Sequence, residues 1–76
     1  MTTLAQNIAA ARKNAGLRQA GLAREIGAWR SAVCEWESGK REPSLAVLRQ
    51  IAVALDVSVG ELVDGTIKTK AKKRAS

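Results

Sequence analysis

The sequence predicts an all-α domain of five short helices, and three observations carry that prediction. Apolar residues recur at helical spacing in one segment after another, beginning with Leu4, Ile8, Ala11 and Ala15. Apolar residues form 46% of the chain, yet Trp29 and Trp36 are its only aromatic ones, so the core must consist of Ala, Leu, Ile and Val. Such a core suits short helices packed closely together. Helix-stopping and helix-starting residues separate the segments, at Gly16, Gly27, Gly39, Pro43-Ser44, Ser58 and Gly65. A chain of 76 residues has room for one domain with a modest core.

Taken in order, Thr3 followed by Gln6 is a capping-box pattern that starts a first helix, and Gly16 ends it. A second helix runs from about Arg18 to Ile26, with Leu22, Ala23 and Ile26 facing inward. Gly27 and Ala28 interrupt the chain before a third helix from about Trp29 to Ser38. At 100° per residue, Ala32, Val33 and Trp36 share one side of it, while Arg30, Ser31, Cys34, Glu35 and Ser38 share the other. Pro43 discourages helix at Glu42, and Ser44 caps a fourth helix with the inward stripe Leu45, Leu48, Ile51, Ala52 and Leu55. Val53 points away from that stripe. Ser58 and Glu61 form a second capping box, with Val57 packing on Leu62, for a fifth helix reaching about Asp64. The expected domain is therefore 3–64, followed by a basic, flexible tail over 65–76.

Charge is distributed unevenly. The net charge of +6 divides into a basic first half, an acidic stretch over 42–65 and a tail with Lys68, Lys70, Lys72, Lys73 and Arg74 and no acid. That asymmetry fits a module that binds a polyanion, and equally a solvated surface with a disordered tail. Other classes are excluded more firmly. The chain has no His or Tyr and a single Cys, which leaves no metal-binding set, no internal disulfide and no general-base arrangement, so neither an enzyme nor a cofactor is expected. No apolar run approaches the ~20 residues of a membrane helix, and no secretory signal is visible, so a cytoplasmic location is expected.

The short link between the second and third helices makes them cross steeply, at roughly 90–120°, as in a helix-turn-helix. Val33 and Trp36 then hold the third helix so that its polar face is outward, where a major groove can receive it. In this setting Gly16-Leu17-x-Gln19-x-x-Leu22-Ala23 resembles the beginning of the motif in phage repressor, Cro and Xre-type regulators. Trp36-Glu37-Ser38-Gly39-Lys40-Arg41-Glu42-Pro43-Ser44 resembles its end, and Leu55-x-Val57-Ser58-x-x-Glu61-Leu62 matches too. The resemblance spans roughly residues 4 to 64 and implies a lambda-repressor-like DNA-binding domain with the helix-turn-helix at helices two and three.

Residue roles follow from that resemblance position by position. Gln19 matches the residue that bonds a phosphate and braces helix three. Arg30, Ser31 and Glu35 match positions that meet base edges, with Cys34 and Ser38 beside them. Lys40 and Arg41 match a loop on the sugar-phosphate backbone, and Arg12 with Glu37 matches a partly buried ion pair. The chain departs from the family at Arg18 and Trp29, where Ser or Thr usually caps the helix, and at Ala20-Gly21. Both cap positions lie in the expected DNA-binding set. Alternatives stay open at several residues: Trp29 as core or as a DNA contact, Arg30 on a base or a phosphate, Glu35 as a reader or as an orienter of Arg, and Cys34 as a redox switch or a small groove-facing side chain.

The function implied is a sequence-specific transcriptional regulator, a repressor binding a two-fold double-stranded operator as a homodimer. Val53, Val57, Val59, Val63 and Ile67 are the apolar residues left over for a dimer surface. The same module serves as the antitoxin of a toxin–antitoxin pair, with a toxin as partner, or as a controller of a restriction–modification operon. A membrane- or protein-docking domain is the reading from a different class, and it leaves the polar face of helix three without a purpose.

Overall fold

The computed structural model describes residues 3–65. Among them are five α-helices and no strand: α1 (Leu4–Asn14), α2 (Gln19–Ile26), α3 (Arg30–Ser38), α4 (Leu45–Leu55) and α5 (Val59–Asp64). Every helix contributes a fully buried side chain to one core: Ile8 from α1, Leu22 from α2, Val33 from α3, Ile51 and Leu55 from α4, and Leu62 from α5. The expected basic tail and Ile67 lie outside the described residues.

Both capping boxes form. The Thr3 hydroxyl accepts from the Gln6 N–H while the Gln6 side chain accepts from the Thr3 N–H, and Ser58 and Glu61 repeat the arrangement at α5. Ser44 caps α4 by accepting from the Val47 N–H at 3.2 Å. Three differences from expectation concern helix ends. Arg18 and Trp29 are N-caps with extended backbone rather than first helical residues, so three residues, Gly27 to Trp29, join α2 to α3. Leu45 is 58% exposed instead of lining the core. Its angle on α4 is right, but it opens the helix, and the first turn overhangs the core. Val47 is the residue of that turn that packs inward.

Helix contacts set the motif in place. α3 packs on both α1 and α2, α4 packs on α2 and α5, and α5 closes against α1. Gly27 ends α2 with a left-handed backbone (φ 71°), a conformation glycine adopts at little cost, and this lets the chain turn directly into α3. Asn7, on the core side of α1, fastens α5: its buried amide donates to the Leu62 carbonyl at 2.6 Å. The sequence signal for this was a polar residue beside Ile8 on an apolar face.

Candidate nucleic-acid interface

Val33 is fully buried and Trp36 is 7% exposed, so the rotation of α3 about its own axis is fixed. Arg30, Ser31, Cys34 and Ser38 consequently face solvent, with Glu35 at the margin. A second constraint fixes how α3 sits against α1 and α2. Arg12 engages the Glu37 carboxylate bidentately, Nε to Oε2 at 2.7 Å and Nη2 to Oε1 at 3.0 Å, with both side chains largely buried. Its third donor, Nη1, bonds the Leu17 carbonyl at 2.8 Å. Gln19 Nε2 donates to the same Glu37 Oε1 at 3.1 Å. One carboxylate thus joins three helices, and the fork geometry makes these charge-assisted bonds directional.

This network also sorts the arginines. Arg12 has its charge matched by Glu37, whereas Arg18 and Arg30 form no ion pair among the described residues. Arg12, Arg18, Gln19, Ala20 and Arg30 line one open cleft of about 410 Å³ at the start of α2. Neither α2 nor α3 has a side-chain cap, so the first N–H groups of both helices lack a partner from their cap residue. Gln19 has a second amide hydrogen beyond the one given to Glu37. The cleft therefore assembles two free guanidiniums, an amide and helix-terminal N–H groups, a set suited to a phosphate oxygen.

At the far end of α3, the loop residues are tied to the helix. The Arg41 N–H donates to the Glu35 carbonyl at 3.3 Å, and its guanidinium Nε lies 3.4 Å from Glu35 Oε1. Glu35 therefore orients Arg41 in this structure. The Ser38 hydroxyl donates to the Glu35 carbonyl and accepts from the Lys40 N–H, so it shapes the turn after α3. Lys40 is exposed and forms no ion pair among the described residues.

Trp29 is 81% exposed, which removes the alternative that it folds back into the core. As an N-cap with extended backbone it precedes α3's helical geometry, so helical angles do not govern its direction. Of the apolar residues expected at a dimer surface, Val53 and Val63 are 82% and 54% exposed. Val57 and Val59 are partly buried and pack against the core. Cys34 is a free, exposed thiol. No helix among the described residues is long and apolar enough to cross a membrane.

A pinned helix with a polar outer face, set across a second helix by a tight glycine turn, defines the class of helix-turn-helix regulators that bind DNA. The helix-turn-helix family model matches residues 8–62, and the chain belongs to that family. Among solved structures it is similar to the P22 c2 repressor protein in complex with a synthetic operator, at 31% identity and a TM-score of 0.79, over 86% of this chain and 98% of that one. The solution structure of the P22 c2 repressor DNA-binding domain gives 30% identity and a TM-score of 0.83, over 88% of each chain. The SinR protein/SinI protein complex gives 28% identity and a TM-score of 0.77, over 96% of this chain and 75% of that one. None of the curated proteins matches the chain. The fold is the lambda-repressor-like one expected from the sequence, and the protein is a DNA-binding transcription regulator.

Proposed function

We propose that the chain is a repressor that reads a two-fold operator as a homodimer, with α3 of each copy in successive major grooves ~34 Å apart. The observation that carries this reading is the exposed face of α3, held outward by Val33 and Trp36. One such face spans only a few base pairs, so a selective site requires a second copy. In this reading Arg30 and Ser31 meet base edges, Arg30 through a fork that matches the two acceptors of guanine. Cys34 lies beside them as a small groove-facing side chain. Arg18 and Gln19 take a phosphate in the cleft at the start of α2, and Lys40 and Arg41 take the backbone beyond α3. Glu35 acts by holding Arg41, and Ser38 by shaping the loop. Trp29 lays its ring against the apolar part of the nucleic acid. The DNA target puts the protein in the cytoplasm, and nothing in the reading calls for catalysis or a cofactor.

Selection from random duplex oligonucleotides tests the proposal directly. The expected product is a motif with two-fold symmetry; an asymmetric motif or none would overturn it. Arg30→Ala should reduce preference for the selected site more than it reduces binding to random DNA. Equal loss on both would assign Arg30 to a phosphate. Tryptophan emission offers a separate measurement, because Trp36 is buried and Trp29 is not. Emission from Trp29 should change when the duplex binds, and an unaltered spectrum would place that ring outside the interface.

A further inference from the structure

Glu35 is the one acid on the open face of α3, because Glu37 of the same helix is buried in its pair with Arg12. Ser31, Glu35 and Ser38 follow at spacings of four and three residues, so the Glu35 carboxylate stands in the row of side chains proposed to meet the duplex. Its side chain is 38% exposed and that of its partner Arg41 is 70% exposed. The two meet through a single contact of 3.4 Å, whereas the buried Arg12–Glu37 pair has two, at 2.7 and 3.0 Å. An exposed pair with one long contact contributes little to stability. Nor does the loop depend on it. The Arg41 N–H and the Ser38 hydroxyl both donate to the Glu35 carbonyl, and the Lys40 N–H donates to Ser38, so uncharged bonds already tie the turn to α3.

Such a pair is easily exchanged. A duplex phosphate offers the Arg41 guanidinium a bidentate, charge-assisted partner in place of one long contact. Once Arg41 turns to it, the Glu35 carboxylate faces a polyanion without its counter-charge, and only a donor on a base edge compensates. The major groove presents two amino groups. Adenine's stands beside the N7 acceptor, which repels a carboxylate, whereas cytosine's amino group is the only polar group on its edge. We propose that Glu35 selects cytosine and that Arg41 is its intramolecular stand-in. On a duplex with another base at that position, the Glu35–Arg41 pair stays closed. On the operator, the cytosine amino group donates to Glu35 while Arg41 passes to a phosphate. This rests on the DNA-reading proposal above and adds to Glu35's hold on Arg41 a second state in which that hold is released. A wrong base then forfeits two contacts together, one to the base and one to the backbone.

A double-mutant cycle on the full chain tests this, with wild type, Glu35→Ala, Arg41→Ala and the double variant. Each is titrated over a range of salt with the selected duplex, with that duplex altered at one cytosine at a time, and with random duplex. The wild type should lose about tenfold in affinity at one cytosine position of the half-site, and Glu35→Ala should lose that preference while keeping the others. Removing the carboxylate also raises affinity for any duplex through charge, but a comparison of bases at one position cancels that effect. The salt dependence reads the exchange itself. With Glu35 present, Arg41→Ala should reduce the salt slope by about 0.9 per bound copy on the selected duplex and leave it unchanged on random duplex. In the Glu35→Ala background it should reduce the slope on both alike. A purely structural pair would shift Tm without making the role of Arg41 depend on the DNA sequence. An unchanged cytosine preference in Glu35→Ala, or an equal slope change on both duplexes with Glu35 present, overturns the proposal and leaves the DNA-reading one standing. A wild type that binds no duplex overturns both.

Discussion

α1, α4 and α5 begin on Thr3, Ser44 and Ser58, each of which accepts a hydrogen bond from the helix's third N–H, and two of the three complete a capping box. α2 and α3 begin on Arg18 and Trp29, which accept none. The capped helices fasten their own ends locally. The uncapped pair is fastened through tertiary contacts instead: Val33 and Trp36 in the core and the carboxylate of Glu37, which Arg12 and Gln19 both bond. A side-chain cap occupies a helix-terminal N–H group; a tertiary anchor leaves it available. On this account the two helices of the motif give up local stability and keep donors at the surface where phosphates are expected.

The largest test of that division is removal of the shared anchor. Glu37→Ala strands the Arg12 guanidinium in a site where its side chain is only 10% exposed. Breaking such a pair costs about 3–5 kcal/mol, a large share of the stability of a domain this size. Thermal unfolding followed by circular dichroism should show a correspondingly large fall in Tm. The double variant Arg12→Met/Glu37→Leu should recover much of it, because an apolar pair leaves no buried charge. A fall under about 1 kcal/mol for Glu37→Ala would mean that α2 and α3 are held by the core alone.

Next in size is the loss of a local cap. Ser58→Ala removes the hydroxyl that accepts from the Glu61 N–H, while the backbone N–H of residue 58 can still donate to the Glu61 carboxylate. The expected cost is about 1–2 kcal/mol, because α5 has only six residues over which to spread it. Since α5 lies away from the cleft at the start of α2, DNA affinity of the folded protein should be unchanged. A change in affinity larger than the change in stability would link α5 to the DNA surface.

Much of this architecture was legible in the sequence, and the reasons differ by residue. Thr3/Gln6 and Ser58/Glu61 announce themselves because a capping box is a contact between residues three apart, which spacing alone reveals. The burial of Leu22, Val33 and Leu62 follows from helical period. The outward turn of Leu45 does not, because period gives an angle and not how far the neighbouring helices extend along the axis. Trp29 was undecided from sequence since an N-cap obeys no helical angle. Asn7 and Gln19 act across 55 and 18 residues of chain, so only the folded arrangement pairs them with Leu62 and Glu37.

A smaller effect tests whether the free N–H groups of α2 are used. Arg18→Ala and Arg18→Ser both remove the guanidinium, but only serine supplies a cap. The serine variant should be more stable than the alanine variant by about 1 kcal/mol. If the uncapped terminus takes a phosphate, the serine variant should also bind the selected duplex more weakly than the alanine variant, despite its greater stability. Equal affinities would show that the terminal N–H groups contribute nothing.

Gly21→Ala supplies the control, and the smallest shift. Gly21 lies in the first turn of α2 with no positive φ, and an added Cβ would meet Leu17 Cδ2 at 3.4 Å and Leu17 Cβ at 3.8 Å, ordinary van der Waals distances. Alanine there restricts the unfolded chain and favours helix, so stability should rise by about 0.5–1 kcal/mol, read as a higher urea midpoint at unchanged slope. Unlike a serine at position 18, this change firms α2 without occupying any N–H group. Its DNA affinity should therefore match or slightly exceed that of the wild type. Should Gly21→Ala weaken binding as a serine cap does, the relevant property of α2 would be its looseness, and the account of reserved donors would give way to one in which the helix must adjust on the DNA.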